Sequence, residues 1–241
     1  SIAHEAGWQW RIPLQHRTGN GHVFCSHYMS DEQAINTLAS NIQGAPTADP
    51  RILRFTTGKR TRSWNKNCVA IGLSSGFLEP LESTSIFLIQ AAIMKLLEIF
   101  PDKDFAQVDS DEFNRQMDLK FEQVRDFLIL HYHATERDDS EFWRYCANMT
   151  IPDELAYRIN LFRERGHVSF DETELFIETN WAAVLAGQGV IPRHYDPRVD
   201  CTDQEFKAQR LMQIRMAFAK ACDAMPTHAQ TLAQYCPSRQ P

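Results

Sequence analysis

The side chain best suited to chemistry in this sequence is that of Glu82, which comes just before a predicted helix. A carboxylate can accept or donate a proton during a reaction. Thr84 and Ser85 follow at the helix start, where backbone N–H groups lack intrahelical partners and carry partial positive charge. Such amides suit a small anion or an electron-rich ring. The spacing therefore predicts chemistry on an anion at the helix start, with the carboxylate of Glu82 beside it.

The segment that must position Glu82 is predicted to be a strand, a turn of small residues and an amphipathic helix, between Cys68 and Pro101. Apolar residues recur there at three- and four-residue steps, as on one face of a helix, and Pro101 stops the pattern. We expect the helix to begin near Ser83. Its apolar face consists of Ile86, Ile89, Ile93, Leu96, Leu97 and Phe100.

Structural roles are the alternative interpretation for several residues. A carboxylate near a helix start usually complements only the helix dipole, and this is the simpler role for Glu82 taken alone. Trp8 and Trp10 are typical of a half-buried strand. His131 and His133 could serve a metal, but no third ligand stands at a suitable spacing, so we expect structural roles and no metal site.

A different enzyme class is suggested by the turn itself. Residues 72–76 have the form G-x-S-x-G after a strand, which predicts a nucleophilic serine of a hydrolase at Ser74. In a hydrolase, however, that serine leads directly into a helix, whereas Pro80 postpones the helix here. No Gly-rich oxyanion loop precedes the turn. A serine hydrolase is therefore the less favoured alternative.

Composition limits the class of protein. The 241 residues are 43% hydrophobic, which is enough for a substantial core in one large or two small domains. The net charge of −6 and the scattered basic residues argue against nucleic acid or an anionic membrane surface as partner. No apolar stretch suits a membrane span and no secretory signal opens the chain, so a cytoplasmic location is expected. The six cysteines show no pairing or zinc spacing, as expected for free thiols.

The organisation of the chain changes once, near residue 80. Short apolar or alternating runs at residues 8–13, 22–28, 52–56 and 67–71 predict strands. Downstream, helical periodicity dominates: one helix is predicted from Pro152 to Gly166, and another follows a capping box of Thr202 and Glu205. The pattern predicts an α+β fold.

Two long stretches carry a resemblance to a known family. Gly76 to Thr84 reads Gly-Phe-Leu-Glu-Pro-Leu-Glu-Ser-Thr, and residues 8–13 read Trp-Gln-Trp-Arg-Ile-Pro. Both closely resemble signatures of the flavin-dependent halogenases of the tryptophan halogenase family, and they occur in the family's order. Further similar stretches continue as far as Met225 to His228, so the resemblance covers essentially the whole chain.

The resemblance implies that the strands complete a flavin-monooxygenase-like FAD domain and that a mostly helical region covers the substrate. We expect the carboxy-terminal part of the FAD- and halide-binding domain at residues 1–101 and the helical substrate-binding region at residues 102–241. Family members are roughly twice as long and open with a Gly-rich dinucleotide turn, which this sequence lacks. A missing amino-terminal half, which would carry the family's catalytic lysine, is therefore the expected partner. An inert fragment, or half of a split protein, is the alternative.

Family roles carry over only to matching positions. Glu82 occupies the place of the active-site glutamate, which holds the substrate near the oxidised halogen and assists removal of the ring proton. Thr84 and Ser85 match residues whose backbone groups bind halide. Leu73 and Ile86 match residues whose main chain touches the flavin. The walls of the flavin and substrate cavity are assigned to Trp8, Trp10, Phe77 and Pro80.

The resemblance also implies FAD, supplied reduced by a partner flavin reductase, and chloride or bromide. With oxygen these give hypohalous acid, which halogenates indole, tryptophan or a similar electron-rich aromatic molecule, as in antibiotic biosynthesis. Tryptophan-specific members have a tyrosine pair and then a Phe-Trp pair ahead of the position matched by Asn180. Here residues 164–166 (Glu-Arg-Gly) and 175–176 (Leu-Phe) stand there instead. Indole or another simple arene is therefore favoured over tryptophan.

Overall fold

Short strands precede most of the helices in the computed structural model, which describes residues 1–237. The strands are β1 (Ile2–His4), β2 (Gly7–Pro13), β3 (Thr18–Phe24), β4 (Gly58–Lys59), β5 (Trp64–Asn65), β6 (Cys68–Val69) and β7 (Gly76–Phe77). The helices are α1 (Asp31–Ser40), α2 (Ser85–Glu98), α3 (Gln107–His133), α4 (Glu141–Asn148), α5 (Asp153–Arg165), α6 (Glu178–Gly187), α7 (Gln204–Ala224) and α8 (His228–Tyr235). Short 3-10 helices lie at Gly72–Ser74, Leu81–Ser83 and Pro197–Cys201.

The chain divides into two units. The first unit consists of Ser1–Pro50 and the segment that starts at Tyr195, and the second unit is Arg51–His194. This division follows packing, whereas the predicted division at residue 101 concerns flavin and substrate binding and stays a prediction. Residues 238–241, the end of the predicted helical region, lie outside the described residues. No helix within residues 1–237 is long and apolar enough to cross a membrane.

The first unit contains an antiparallel sheet in the order β1-β2-β3. The predicted strand at residues 8–13 is confirmed as β2. The strand predicted at residues 22–28 begins earlier and ends at Phe24, because residues 25–29 turn the chain toward α1. Ser30 caps α1 through its side chain.

The indole ring of Trp10 packs directly over Gly21 of the neighbouring strand, where an added Cβ would overlap the ring atoms. We expect Gly21→Ala to lower the free energy of unfolding by about 1–3 kcal/mol, because the methyl group must displace the ring or the strand. Chemical unfolding of the chain measures the loss. Gly58→Ala is the control, because a Cβ there meets nothing within 4 Å. Equal losses in the two variants would contradict the packing role of Gly21.

The first unit continues with α7 and α8. Asp203 caps α7, and its carboxylate accepts a hydrogen bond from the amide of Phe206 (3.0 Å). The predicted capping box of Thr202 and Glu205 was therefore wrong, because the helix starts one residue later and Asp203 is placed to meet the first-turn amides. No side chain of α7 is buried.

The strands of the second unit form two small antiparallel pairs, β4 with β7 and β5 with β6. The predicted strand at residues 67–71 is reduced to β6. The predicted strand at residues 52–56 was wrong, because those residues contain no strand. Their pattern suits a strand, but a strand also needs a hydrogen-bonded neighbour in register, and the tertiary structure provides none at this place.

The long helix α3 lies at the centre of the second unit's core, and α2, α4, α5 and α6 pack against it. The helix predicted from Pro152 to Gly166 is confirmed as α5, and Gly166 closes it in the left-handed conformation (φ 66°). The buried core includes Phe113, Met117, Phe121, Val124, Phe127, Leu128 and Leu130 of α3, Leu155, Ile159 and Phe162 of α5, and Trp181 and Leu185 of α6.

The face of α2 that packs on α3 is only partly the predicted one, because Leu96 of the predicted face packs against the core and several other residues of that face do not. Leu88 and Ala92 are buried, whereas Ile86, Ile93 and Leu97 of the predicted apolar face are exposed. Because α2 carries apolar residues on nearly every side, periodicity alone does not select the buried face, and tertiary packing does. Met94 and Phe100 are exposed as well. The second unit therefore presents an open apolar surface.

A buried ion pair holds the loop between α5 and α6. The guanidinium of Arg158 donates to both carboxylate oxygens of Glu174, with N···O distances of 2.8 and 2.6 Å. Its central carbon lies 4.8 Å from the ring centroid of Trp181. The same loop stacks Phe176 on Phe127, with ring centroids 3.8 Å apart. Buried contacts of Glu174 and Phe176 therefore hold the loop against α3, α5 and α6.

Candidate active site

Glu82 lies in the 3-10 helix Leu81–Ser83, before α2. Its backbone has φ 62° and ψ 1°, and Ser83 follows with φ 54°, so two consecutive residues other than glycine adopt the left-handed region. Each such residue costs about 1–3 kcal/mol and persists only where its surroundings hold it. The helix α2 begins at Ser85, two residues after the predicted start near Ser83, because left-handed residues do not belong to a right-handed helix.

Hydrogen bonds anchor the strand β7, which leads into the Glu82 turn. The hydroxyl of Thr57 donates to the carbonyl of Leu78 (2.8 Å). The backbone amide of Arg60 donates to the carbonyl of Ser75 (2.7 Å). Both flanks of β7 are thus tied to the segment around β4. These contacts are part of the surroundings that hold the left-handed turn in place.

The carboxylate of Glu82 faces the imidazole of His131 on α3. Oε1 of Glu82 lies 3.2 Å from Nε2 of His131, and the two side chains are 38% and 17% exposed. The other ring nitrogen, Nδ1, lies 2.8 Å from the carbonyl oxygen of Phe127. The ring also packs edge-on against the Phe127 ring, with centroids 4.9 Å apart. A carboxylate and an imidazole, both oriented by their surroundings, therefore meet at the turn before α2.

Sequence analysis expected only a structural role for His131 and missed its contact with Glu82. A signal was present, because His131 follows Phe127 by one turn on the buried face of α3, where a polar ring needs a partner. His133 has a different partner, since its Nδ1 lies 3.3 Å from the carbonyl oxygen of Cys146. In the part of the chain that the structure describes, no three His, Cys, Asp or Glu side chains are grouped to hold a metal ion.

The residues predicted to bind halide stand at the start of α2. Thr84 is buried and is the N-cap residue, but its side chain makes no capping hydrogen bond. Ser85 is the first helical residue and is half-buried. Thr84 therefore leaves the first-turn amides of α2 uncapped at the positive end of the helix dipole. This arrangement can hold an anion through backbone groups, two residues after Glu82 in the chain.

The residues predicted to touch a flavin flank the same turn and are open to solvent. Leu73 is 77% exposed and Ile86 is 69% exposed. Their assignment to a flavin contact through the main chain stays a prediction. Phe77 is half-buried and packs edge-on against Phe55, with centroids 5.1 Å apart. The carbonyl of Pro80 accepts a hydrogen bond from the backbone amide of Ser83 (3.0 Å), which closes the Glu82 turn.

Trp8 and Trp10 belong to the first unit, whereas Glu82 belongs to the second. Trp8 is buried within its unit, and Trp10 packs over Gly21 as described above. Their assignment to the wall of a cavity stays a prediction.

The alternative nucleophile, Ser74, lies in the 3-10 helix Gly72–Ser74. Its hydroxyl donates to the carbonyl of Ile71 (2.9 Å) and not to a histidine. The next α-helix starts only at Ser85. This geometry differs from the strand–serine–helix turn of hydrolases and gives that alternative no support.

The sequence matches the family model described as tryptophan halogenase over residues 1–204. Tryptophan 7-halogenase KtzQ from Kutzneria sp. (strain 744) is 32% identical over 235 residues, which cover 91% of this chain and 43% of that protein. The 7-chloro-L-tryptophan 6-halogenase KtzR from the same organism is 35% identical, with 97% of this chain and 46% of that protein covered. The chain thus spans about half the length of the curated relatives it matches.

Solved structures show the same similarity. Xcc4156, a flavin-dependent halogenase from Xanthomonas campestris, has a TM-score of 0.95 and 49% identity, covering 99% of this chain and 48% of that one. BrvH, a flavin-dependent halogenase from Brevundimonas sp. BAL3, has a TM-score of 0.91 and 48% identity, and the match covers 96% of this chain and 47% of BrvH. Tar14, a tryptophan C-6 flavin-dependent halogenase (chlorinase) from taromycin biosynthesis, has a TM-score of 0.85 and 33% identity, and the match covers 96% of this chain and 47% of Tar14.

Proposed function

The chain belongs to the tryptophan halogenase family, and we propose that it is the part of a flavin-dependent halogenase that carries the active-site glutamate and the halide site. The observation that carries this proposal is the placement of Glu82. Its carboxylate is held in a left-handed turn directly before the uncapped first-turn amides of α2. Arene halogenation needs both an anion site and a proton acceptor, because a halide must be held and the ring must lose a proton.

Glu82 and residues on both sides of its turn have roles in the proposed reaction. Thr84 and Ser85 would hold chloride or bromide through their backbone groups. Glu82 would orient the arene and accept the proton that the ring loses once the halogen is attached. Leu73 and Ile86 would hold FAD through main-chain contacts, and a flavin reductase would supply it reduced. Bound reduced FAD supplies the electrons for the reduction of oxygen, from which the oxidant for halide arises.

The remainder of the halogenase is proposed to be an amino-terminal half that binds this chain and brings the catalytic lysine. Exposed apolar residues on α2 of the second unit support this proposal, as does α7 of the first unit, which buries no side chain. Contiguous exposed apolar residues are typical of protein interfaces. The strands would then complete a flavin-monooxygenase-like FAD domain, and the helices after residue 101 would cover the substrate.

The proposed substrate is indole or another simple arene, in preference to free tryptophan. Phe176, at the place of the paired aromatic residues of tryptophan-specific members, is buried against Phe127. Glu174 of the same loop is paired with Arg158. Free tryptophan carries an ammonium and a carboxylate, whose binding calls for charged or hydrogen-bonding partners. Because Phe176 and Glu174 are both engaged in contacts within the unit, the loop supports a smaller and uncharged substrate.

The proposal is tested by titrating the 241-residue chain with FAD, alone and with the amino-terminal half of the Xanthomonas relative Xcc4156. Flavin fluorescence and melting temperature are followed together. Flavin reductase, oxygen, bromide or chloride, and indole or tryptophan are then added, and products are identified by mass spectrometry. We expect FAD binding and halogenated indole when the amino-terminal half is present.

Each outcome of this test has a distinct meaning. Halogenation of tryptophan in preference to indole would correct the proposed substrate and leave the enzyme class in place. Neither FAD binding nor a halogenated product, with the amino-terminal half present, would overturn the proposal in favour of an inert fragment. Hydrolysis of an activated ester that is lost in Ser74→Ala would instead support the hydrolase alternative.

A further inference from the structure

His131 is held in one orientation by groups that leave a single nitrogen free to act. Its Nδ1 lies 2.8 Å from the carbonyl oxygen of Phe127. A carbonyl oxygen can only accept a hydrogen bond, so Nδ1 carries the proton of this contact. From the side of α6, the neutral amide of Gln188 donates to the backbone carbonyl of His131 (3.2 Å) and fixes the helix end. Nε2 is therefore the nitrogen that can exchange a proton.

The Glu82–His131 contact requires a proton of its own. With Nδ1 protonated, a neutral imidazole presents a lone pair at Nε2, and an ionised carboxylate presents only lone pairs. Two lone pairs do not form a hydrogen bond at the observed Nε2···Oε1 distance of 3.2 Å. A hydrogen bond between Nε2 and Oε1 therefore uses a proton carried by one of the two side chains, as imidazolium with carboxylate or as imidazole with carboxylic acid. Glu82 is the charged group that contacts this ring.

From this arrangement we propose that His131 is a positioning residue that keeps the carboxylate of Glu82 oriented as proton acceptor and then carries its proton away. The inference rests on the proposed function and deepens it. In the proposed step, the C–H bond of the halogenated ring breaks, its electron pair returns to the ring, and the proton passes to Glu82. The pair then holds two protons, and His131 releases one to solvent, to which its side chain is 17% exposed.

The backbone of Glu82 makes this support necessary. A left-handed residue other than glycine is held by its surroundings, and the carboxylate stands at the far end of a flexible side chain. The anchors of β7 fix the backbone before the turn, while the contact with His131 fixes the carboxylate itself. Without the imidazole, the backbone of Glu82 would stay in place, but its carboxylate would no longer be held in one orientation.

Two substitutions distinguish the roles of the two ring nitrogens of His131. His131→Asn keeps a donor near the Phe127 carbonyl but cannot reach Glu82, whereas His131→Gln keeps a neutral donor toward Glu82 but cannot carry a proton. In the halogenase assembled with the amino-terminal half, we expect His131→Asn to lower kcat by about tenfold or more, as for a residue that orients a catalytic base. The KM for the arene should change little. The kcat of His131→Gln should lie between those of His131→Asn and the wild type. Its plot of kcat against pH should lack one limb that the wild-type plot shows.

His133→Gln is the matched control, because His133 lies on the same helix and contacts the carbonyl of Cys146 instead of Glu82. We expect it to keep the wild-type pH profile. If His131→Asn also keeps the wild-type kcat and pH profile, the role of His131 is structural and the inference is overturned.

A second readout does not depend on activity. Nitrogen-15 spectra of the chain with labelled histidine report each ring nitrogen separately. We expect Glu82→Gln to move the Nε2 resonance of His131 while Nδ1 stays protonated. An unmoved Nε2 resonance would overturn the inference even if halogenation is observed, whereas a wild-type protein that halogenates no arene would overturn the proposed function first.

Discussion

Glu82→Gln is expected to lower kcat for arene halogenation by about 10²- to 10⁴-fold, because an amide cannot accept the ring proton as a carboxylate does. Glutamine keeps the size of the side chain and the backbone preference at a left-handed position. The KM for the arene should therefore change much less than kcat. Steady-state kinetics of the assembled halogenase, with product counted by mass spectrometry, measure both constants.

Glu98→Gln is the matched control for this substitution. Glu98 ends α2 and forms an exposed ion pair with Lys95 (2.8 Å), a type of contact that contributes little. Its kcat should equal that of the wild type. If Glu82→Gln kept the wild-type kcat as well, Glu82 would be reduced to a complement of the α2 dipole, which is the structural role considered from the sequence.

Arg158→Met is expected to lower the free energy of unfolding by about 3–5 kcal/mol, because it leaves a buried carboxylate without its partner. The side chain of Glu174 is only 2% exposed, so water cannot replace the guanidinium. The substitution also removes the cation from the face of Trp181. Chemical unfolding followed through the transition of the second unit measures the loss.

Two comparisons show whether the loss comes from the buried charge. Arg193→Met removes an exposed ion pair with Glu164 and should cost at most about 1 kcal/mol. The double variant Arg158→Met with Glu174→Gln should be more stable than Arg158→Met alone, because it removes the orphaned carboxylate as well. A loss in Arg158→Met no larger than that in Arg193→Met would show that the pair does not hold the loop.

The elements with strong local signals were predictable. The alternating run at residues 8–13 is a strand, and Pro152 and Gly166 bound a helix, because torsion preferences and caps act over a few residues. Residues 52–56 and the cap of α7 were mispredicted. A strand depends on a distant partner for its hydrogen bonds, and alternative capping residues lie side by side in the chain.

The candidate site divides in the same way. The position of Glu82 before a helix follows from local sequence, as does its membership of a nine-residue motif. Its left-handed backbone does not follow, because nothing in the residue type of Glu82 or Ser83 favours that conformation. Contacts from residues outside the motif, such as Thr57 and Arg60, anchor the strand that leads into the turn.

By itself, the sequence determined the family, the presence of a carboxylate beside a helix start, and the local elements around it, because these depend on residues close together in the chain. Only the tertiary structure decided that Leu88 and Ala92 form the buried face of α2 and that His131 is the partner of Glu82. A helix that is apolar on nearly every side has no preferred face until another helix packs on it. An imidazole and a carboxylate from distant segments meet only when that packing brings α3 beside the turn.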